Sequence, residues 1–175
     1  MKVIIVRHAQ TDENAADRLA AAKSDILLNE EGIRQAEKLG HHLKGHRISH
    51  AYVSPLKRAV HTADHILAHH ADATTVHVED LREQDKQGGE SRVELQSRIK
   101  KFFHKLIAKH GPNDTILIVS HGGPLGVLLL DILEKELIEE NYRAHQPKNT
   151  EFSIVEIDEN GKKKIHELNS NTHLN

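Results

Sequence analysis

The residues best suited to chemistry are an arginine and a histidine that directly follow a short apolar run near the start of the sequence. Residues Val3 to Val6 are all β-branched, which is typical of a strand buried on both faces of a sheet. Arg7 and His8 therefore stand where that strand ends, and the carboxyl ends of strands in open α/β sheets form the crevice that binds ligands. A guanidinium beside an imidazole at that place indicates a nucleophile or base next to an anion clamp.

A second histidine follows the most strand-like run in the chain, Thr115 to Val119. Ser120 and His121 follow this run, and two glycines then open a Leu-rich helix from Leu125 to about Leu133. Both histidines are thus predicted at the ends of strands, where ligands bind in such sheets.

A second arginine is predicted at the start of a helix. Ala51 to Val53 reads as a short strand, and it is followed by Ser54 and Pro55. We interpret Ser54 as the N-cap and Pro55 as the first helical position, the place where proline is best tolerated. Arg58 then lies in the first helical turn, close to the carboxyl end of another strand.

Apolar periodicity and capping residues predict the elements that must position these groups. Asn29 caps a helix that stops at Gly45, and Ser91 with Glu94 forms a capping box for a later helix. Strands alternating with helices predict a three-layer α/β/α fold with a mainly parallel sheet. The further strands are predicted at Val76–Val78 and in a C-terminal antiparallel hairpin, Phe152–Ile157 and Lys163–Leu168, around Asn160-Gly161.

Composition limits the class of protein. The 175 residues suit a single domain, 1–175, and 37% hydrophobic with 29% charged residues is typical of a soluble globular chain. A formal charge of −2 gives no argument for a nucleic-acid or membrane partner, and the absence of cysteine excludes a thiolate metal site or cysteine nucleophile. No apolar run approaches the roughly 18 residues of a membrane span, so we expect a cytoplasmic protein. Nothing indicates the oligomeric state.

Histidine is unusually frequent, with 16 residues. His61, His65 and His69 are spaced to share one helix face, which is a conceivable metal site. A solvated helix face explains the same spacing, and we expect no metal ion and no other cofactor.

The motifs together resemble those of the histidine phosphatase superfamily, whose members have the phosphoglycerate mutase-like fold. The matching segments occur in the expected order over almost the whole chain: Arg7-His8-Ala9-Gln10-Thr11 with Asn14, Ser54-Pro55-Leu56-Lys57-Arg58-Ala59 with Thr62-Ala63, Leu81-Arg82-Glu83, Gly89-Glu90-Ser91, and Val119-Ser120-His121-Gly122-Gly123.

The resemblance implies a phosphomonoesterase in which His8 attacks phosphorus and becomes a phosphohistidine that water hydrolyses. It also implies that Glu83 donates the proton to the leaving oxygen. Guanidiniums bind phosphoryl oxygens bidentately, which suits Arg7 and Arg58. A protonated His121 would be a third cationic donor. Further neutral donors are expected from Asn14 and from the backbone N–H groups that follow Gly122.

One departure from the family pattern concerns the loop after Glu83. Only five residues separate Glu83 from Gly89, whereas mutase-type relatives carry a long insertion there that folds over the site. A short lid favours hydrolysis over mutase action, because a phosphorylated sugar acid would not be retained for a second transfer. If Glu83 is only a solvated loop acid, the alternative proton donors are Asp85, Glu90 or a water in the open cleft.

Three alternatives to a small-molecule phosphatase stay open at this point. The substrate could be a phosphoprotein, including one phosphorylated on histidine, because an open cleft could admit a phosphorylated side chain. The protein could instead be a regulatory protein that binds a phosphorylated ligand and hydrolyses it only slowly. Phosphoglycerate mutase action is the least favoured.

Overall fold

A computed structural model describes residues 1–16 and 25–175. The strands are β1 (Lys2–Arg7), β2 (His50–Val53), β3 (Thr74–His77), β4 (Thr115–Ser120), β5 (Phe152–Ile157) and β6 (Lys163–Ser170). The helices are α1 (Asp12–Ala15), α2 (Glu30–Leu43), α3 (Lys57–Leu67), α4 (Arg92–Lys109), α5 (Gly122–Ile132) and α6 (Glu139–His145), with 3-10 turns at Glu79–Leu81 and Thr172–Leu174.

The six strands form one sheet in the order β3-β2-β4-β1-β5-β6. The pairs β1–β4, β2–β4 and β2–β3 are parallel, and β5 and β6 add the antiparallel edge. The predicted mixed sheet with a C-terminal hairpin is therefore confirmed, and Gly161 has the positive φ of 77° that the turn requires.

Alternation along β1 explains the three layers. Val3 and Ile5 face a core cluster that includes α4 and α5, whereas Ile4 and Val6 face a second cluster that includes α2 and α3. Because both faces of β1 are covered, every residue from Val3 to Val6 is buried, as the β-branched run predicts.

Helix α2 begins and ends close to the predicted limits. Asn29 is its N-cap, and the Asn29 side-chain oxygen accepts a 2.8 Å hydrogen bond from the backbone N–H of Gly32. A side chain at Gly32 would meet the backbone oxygen of Gln10 at 2.0 Å. The glycine therefore allows α2 to lie directly against the segment that follows His8.

Two predicted element boundaries are wrong. Helix α3 begins at Lys57 with Leu56 as its N-cap, so Ser54 does not cap it and Pro55 lies before it. The Ser54 hydroxyl instead bonds a histidine side chain described below. The third strand lies at Thr74–His77 instead of Val76–Val78, because its register is set by pairing with β2 alone at an exposed sheet edge.

Two further expectations have different outcomes. The capping box of Ser91 and Glu94 at the start of α4 is confirmed. The polar, Ala-rich stretch from Gln10 to Ser24 predicts a loop or short helix; it includes α1, and residues 17–24 lie outside the described residues. Within the described ranges, no helix is both long and apolar enough to cross a membrane.

Candidate active site

The two histidines predicted at separate strands meet at one edge of the sheet. Strands β1 and β4 pair in parallel with Arg7 opposite Ser120, and the backbone N–H of His8 donates to the Ser120 carbonyl at 2.9 Å. The ring centroids of His8 and His121 lie 5.1 Å apart. Parallel pairing therefore delivers both imidazoles to the carboxyl end of the sheet.

The tautomer of His8 follows from its hydrogen bond. His8 Nδ1 lies 2.8 Å from the backbone oxygen of Ala9, and a carbonyl only accepts, so Nδ1 must carry the proton. Nε2 then holds the free lone pair. Burial, followed by the positive charges of Arg7 and Arg58, lowers the pKa of His8 well below its ordinary value of 6.5. The ring is consequently neutral at physiological pH and ready to act as a nucleophile.

His121 is held by Ser54, the serine that the sequence predicts as a helix cap. His121 Nε2 lies 2.7 Å from Ser54 Oγ, and the backbone N–H of Leu56 donates to the same oxygen at 3.5 Å. Ser54 Oγ can accept from Leu56 and donate its own proton to Nε2, an arrangement that places the His121 proton on Nδ1. That nitrogen is buried and has no hydrogen-bond partner within the described residues.

The protonation state expected for His121 needs correction. Burial, followed by the charges of His8, Arg58 and Arg7, lowers the pKa of His121 well below 6.5, so the ring in the ligand-free site is neutral. The neutral ring still presents an Nδ1–H donor, so His121 can bind a phosphoryl oxygen without being a third cation.

Two guanidiniums provide the positive charge at this edge. Arg58, in the first turn of α3, is completely buried, and Arg7 Nη1 donates to the Pro147 carbonyl at 2.8 Å. Burial lowers the pKa of both arginines, while the nearby Glu83 carboxylate opposes that effect. Arginine remains protonated under such shifts, so the site concentrates positive charge.

A threonine hydroxyl fixes the spacing between His8 and Arg58. The Thr62 hydroxyl donates to the Arg58 carbonyl at 2.7 Å and accepts a 2.9 Å hydrogen bond from the backbone N–H of Ala9. The segment after His8 and the helical turn that carries Arg58 are therefore joined through one side chain.

Glu83 reaches the same edge from the segment that follows the 3-10 turn at Glu79–Leu81. The Ser120 hydroxyl donates to the Leu81 carbonyl at 2.7 Å, which attaches this segment to the end of β4. Burial raises the pKa of Glu83 above 4.5, against the opposing effects of the Gln84 N–H and of Arg7. A carboxyl group with a raised pKa is suited to donate a proton near neutral pH.

Gly123 leaves the space that Glu83 occupies. A Cβ atom at Gly123 would lie 2.3 Å from Glu83 Oε1, whereas one at Gly122 would lie 3.5 Å from the Arg7 guanidinium. The helix that starts at Gly122 therefore presents backbone to the site, with the carboxyl group packed against it.

Asn14 lies beside the site, and its side-chain oxygen already accepts hydrogen bonds from other residues. Asn14 Oδ1 accepts hydrogen bonds from the Thr11 backbone N–H at 3.2 Å and from Asn149 Nδ2 at 3.1 Å. Its amide nitrogen is the group left to donate to an anion, so its role in binding phosphate stays a prediction.

Residues Asn149 and Thr150 support the site and were missed by sequence reasoning. Asn149 Nδ2 also donates to the His8 carbonyl at 3.0 Å, and Thr150 has a positive φ of 56°. That conformation is rare for a β-branched residue. No sequence signal singles out these two residues, because their importance comes from packing against β1, more than 140 positions away.

Of the two alternative proton donors, Glu90 is held by Arg98, whereas Asp85 lines the cavity next to Glu83. Glu90 forms a bidentate pair with Arg98, with both N–O distances 2.8 Å. Helix α3 ends at Leu67, so His69 leaves the helix face that His61 and His65 share. Among the described residues, these histidines form no three-ligand group.

A cavity of about 550 Å³ opens beside the cluster. The segment that follows Glu83, the beginning of α4 and helix α6 all contribute to its lining. The lining residues are Arg7, Glu83, Gln84, Asp85, Lys86, Gln87, Arg92, Gly122, Gly123, Glu139, Tyr142, Arg143 and Gln146.

Sequence comparison identifies the family. A profile of the histidine phosphatase superfamily (branch 1) matches residues 3–87 and 84–171. The chain belongs to this superfamily. It is 30% identical to the phosphatase PhoE of Bacillus subtilis over 98% of this chain and 96% of PhoE. Phosphoserine phosphatase 1 of Hydrogenobacter thermophilus is 26% identical over 99% of this chain and 94% of its own length.

Solved structures share the fold of this histidine phosphatase. A phosphoserine phosphatase from Entamoeba histolytica, in complex with 3-phosphoglyceric acid, superposes with a TM-score of 0.84 at 24% identity, covering 99% of both chains. Bacillus stearothermophilus YhfR superposes with a TM-score of 0.87 at 20% identity, also covering 99% of both chains. The predicted fold and the predicted class of enzyme, a phosphatase that hydrolyses phosphomonoesters, are confirmed.

The packing of Glu83 against Gly123 generates a prediction. Gly123→Ala should displace the carboxyl group, because a 2.3 Å contact is impossible and the flexible Glu83 side chain is the part that can move. We expect the rate for alkyl phosphates to fall by roughly tenfold or more, part of the 10²–10⁴ that one acid–base group contributes. The free energy of unfolding should change by less than about 1 kcal/mol, since alanine favours helix over glycine.

The measurement is kcat together with urea unfolding, for this variant and for Gly45→Ala, where an added Cβ meets nothing within 4 Å. Unchanged turnover of Gly123→Ala on alkyl phosphates would show that the position of Glu83 is unimportant.

Proposed function

We propose that this enzyme hydrolyses phosphomonoesters through a covalent phosphohistidine at His8. His8 Nε2 donates its lone pair to phosphorus while the ester P–O bond breaks and its electron pair leaves with the alcohol oxygen. The Nδ1–H bond to Ala9 supports this role, because it holds the ring in the tautomer whose free nitrogen is Nε2.

The protein's own donors stabilise the transferring group in this proposal. Arg7 and Arg58 neutralise the charge on the phosphoryl oxygens, and His121 Nδ1–H and the α5 backbone N–H groups add neutral hydrogen bonds. These donors are fixed in a buried site before substrate binds, which is the arrangement that makes such interactions effective.

Glu83 completes the proton balance. In the first step its carboxyl group gives a proton to the departing alcohol oxygen, which leaves as the neutral alcohol. In the second step the resulting carboxylate takes a proton from water as the water oxygen attacks phosphorus and the P–N bond to His8 breaks. Inorganic phosphate is released, and His8 and Glu83 return to their starting states.

The observation that supports the proposal is the opposite pKa shift of two groups that both interact with Arg7 and Arg58. Burial lowers the pKa of His8, which keeps it neutral, and raises the pKa of Glu83, which keeps it protonated to higher pH than usual. A neutral base and a protonated acid in one site are the pair that a phosphoryl transfer to histidine requires.

Glu83→Gln tests the proton donor. The amide keeps size and polarity but donates no acidic proton, so formation of phospho-His8 should slow by roughly 10²–10⁴ for an alkyl phosphate. The effect should be much smaller for nitrophenyl phosphate, whose phenolate leaves without a proton. Burst kinetics with acid-free quenching and detection of an acid-labile label provide the measurement.

Two controls accompany that experiment. His8→Ala should abolish both label and turnover. The wild-type burst rate should rise with pH as His8 loses its proton and fall as Glu83 loses its proton, and Glu83→Gln should lack the falling limb. Equal slowing of the alkyl and nitrophenyl substrates, or turnover with label on no histidine, would contradict the assigned roles.

We further propose that the leaving group is small and carries a second anionic group, such as a carboxylate. The Arg92 guanidinium lies 4.0 Å from the centroid of the Tyr142 ring and pairs with Glu139, which also accepts from Arg143 Nε at 2.6 Å. One carboxylate thus serves two guanidiniums, which leaves net positive charge on the cavity wall. A relative and a structural neighbour named phosphoserine phosphatases support this class.

Arg92→Met tests the substrate class. Loss of one charge-assisted hydrogen bond should raise KM for phosphoserine roughly tenfold, while kcat/KM for glycerol phosphate, which lacks a carboxylate, should be nearly unchanged. Arg34→Met, which removes an exposed arginine of α2, is the matched control and should affect neither substrate. Equal effects on both substrates would contradict a carboxylate contact, and faster hydrolysis of phosphopeptides than of phosphoserine would favour a phosphoprotein substrate.

A further inference from the structure

Three potential metal ligands meet at the end of the sheet opposite His8. His50 is the first residue of β2, Asp114 directly precedes β4, and His110 directly follows α4. One ligand atom from each of the three lies within 4.8 Å of the others. The ring centroids of the two histidines are 4.4 Å apart.

Both imidazoles approach the same carboxylate. His110 Nδ1 lies 3.2 Å from Asp114 Oδ2, and His50 Nδ1 lies 3.9 Å from Asp114 Oδ1. Tetrahedral ligands placed about 2.1 Å from a zinc ion are about 3.4 Å from one another. The two observed separations, which run to the two different oxygens of the carboxylate, are each within about 0.5 Å of that spacing.

The three candidate ligands have hydrogen-bond partners of the kind that orient metal ligands in known metal sites. The Tyr52 hydroxyl oxygen lies 2.8 Å from His110 Nε2, so it can accept the proton of the nitrogen that faces away from Asp114. The Asp114 carboxylate accepts hydrogen bonds from the Gly111 N–H at 2.9 Å and from the Ser49 hydroxyl at 3.3 Å. Metal-bound histidines and carboxylates characteristically have such outer partners.

A turn-capping role explains only part of this arrangement. The bond from Gly111 N–H to Asp114 closes the turn that precedes β4 and needs neither histidine. A turn does not explain why two imidazoles from separate elements meet there: His110 Nδ1 contacts the carboxylate directly, and His50 Nδ1 lies 3.0 Å from the Ser49 hydroxyl oxygen that bonds the same carboxylate. The His110 side chain is moreover only 3% exposed, so solvent does not account for its placement.

We propose that His50, His110 and Asp114 form a binding site for a divalent transition-metal ion, with Zn²⁺ the best match. Two imidazoles and one carboxylate are a recognised zinc ligand set, with a fourth position for water. The ion would join the starts of β2 and β4 to the end of α4. Strand β4 spans six residues, or about 20 Å, so the ion would lie far from His8 and would stabilise the fold without taking part in phosphoryl transfer.

The test is titration of the metal-stripped full chain with Zn²⁺ by calorimetry, together with Tm measurements. We expect one ion per chain and a higher Tm when Zn²⁺ is present. Replacement of an outer partner usually costs about 10- to 100-fold in affinity, so Tyr52→Phe should weaken binding by that factor. His50→Gln and Asp114→Asn, which each remove a ligand, should weaken it at least as much.

Two controls distinguish Zn²⁺ binding at this site from binding by other histidines, and loss of a ligand from loss of the fold. The double variant His61→Gln and His65→Gln removes a neighbouring pair whose rings lie 5.2 Å apart, and it should bind Zn²⁺ like the wild type. Circular dichroism should show that metal-free His50→Gln is folded. Co²⁺ should give the visible absorption of a four-coordinate site in the wild type and in this double variant, but not in His50→Gln.

Chelation should lower Tm while leaving kcat essentially unchanged. Absence of stoichiometric Zn²⁺ binding by the wild type, undiminished binding by folded His50→Gln, or loss of binding in the His61 and His65 double variant would overturn the proposal.

Discussion

Burial of two guanidiniums around a histidine is the constraint on which the rest of the site depends. Moving a charged group out of water costs several kcal/mol even after relaxation, and Arg7 and Arg58 are both largely removed from solvent. Near them, Glu83 is a carboxyl group whose pKa burial raises, so it compensates them incompletely. In the proposed mechanism, the phosphoryl group of the substrate supplies the missing negative charge. Burial and the same positive charges lower the pKa of His8, so the groups proposed to bind the anion also help to keep the proposed nucleophile unprotonated.

The fold supplies this arrangement through a few connections between distant segments. Parallel pairing of β1 with β4 places His8 beside His121, and the Thr62 hydroxyl attaches Arg58 to the segment after His8. The Ser120 hydroxyl holds the Glu83 segment through the Leu81 carbonyl. The connections made by Thr62 and Ser120 are short hydrogen bonds of buried side chains, and buried polar networks of this kind restrict geometry most when every member is satisfied.

Much of the site could be predicted from the sequence because its residues follow strongly patterned elements. The β-branched run before Arg7 and the strand before His121 indicate the ligand-binding edge without knowledge of the tertiary structure. Ser54 shows where such reasoning fails. The Ser54-Pro55 pair is typical of a helix start, yet the Ser54 hydroxyl bonds His121. Only the tertiary structure reveals this contact. The same holds for Asn149, for Thr150 and for the meeting of His50 with His110 and Asp114, which depend on contacts between segments far apart in the chain.

The central claim is that His8 is a neutral imidazole with its proton on Nδ1 and its lone pair on Nε2. Nitrogen-15 NMR of the selectively labelled histidine side chains, assigned with His8→Ala, reports both properties across a pH titration. The structure predicts the Nδ1–H tautomer and a titration midpoint far below the ordinary value of about 6.5. An Nε2–H tautomer, or a midpoint at or above 6.5 in the ligand-free enzyme, would contradict the account.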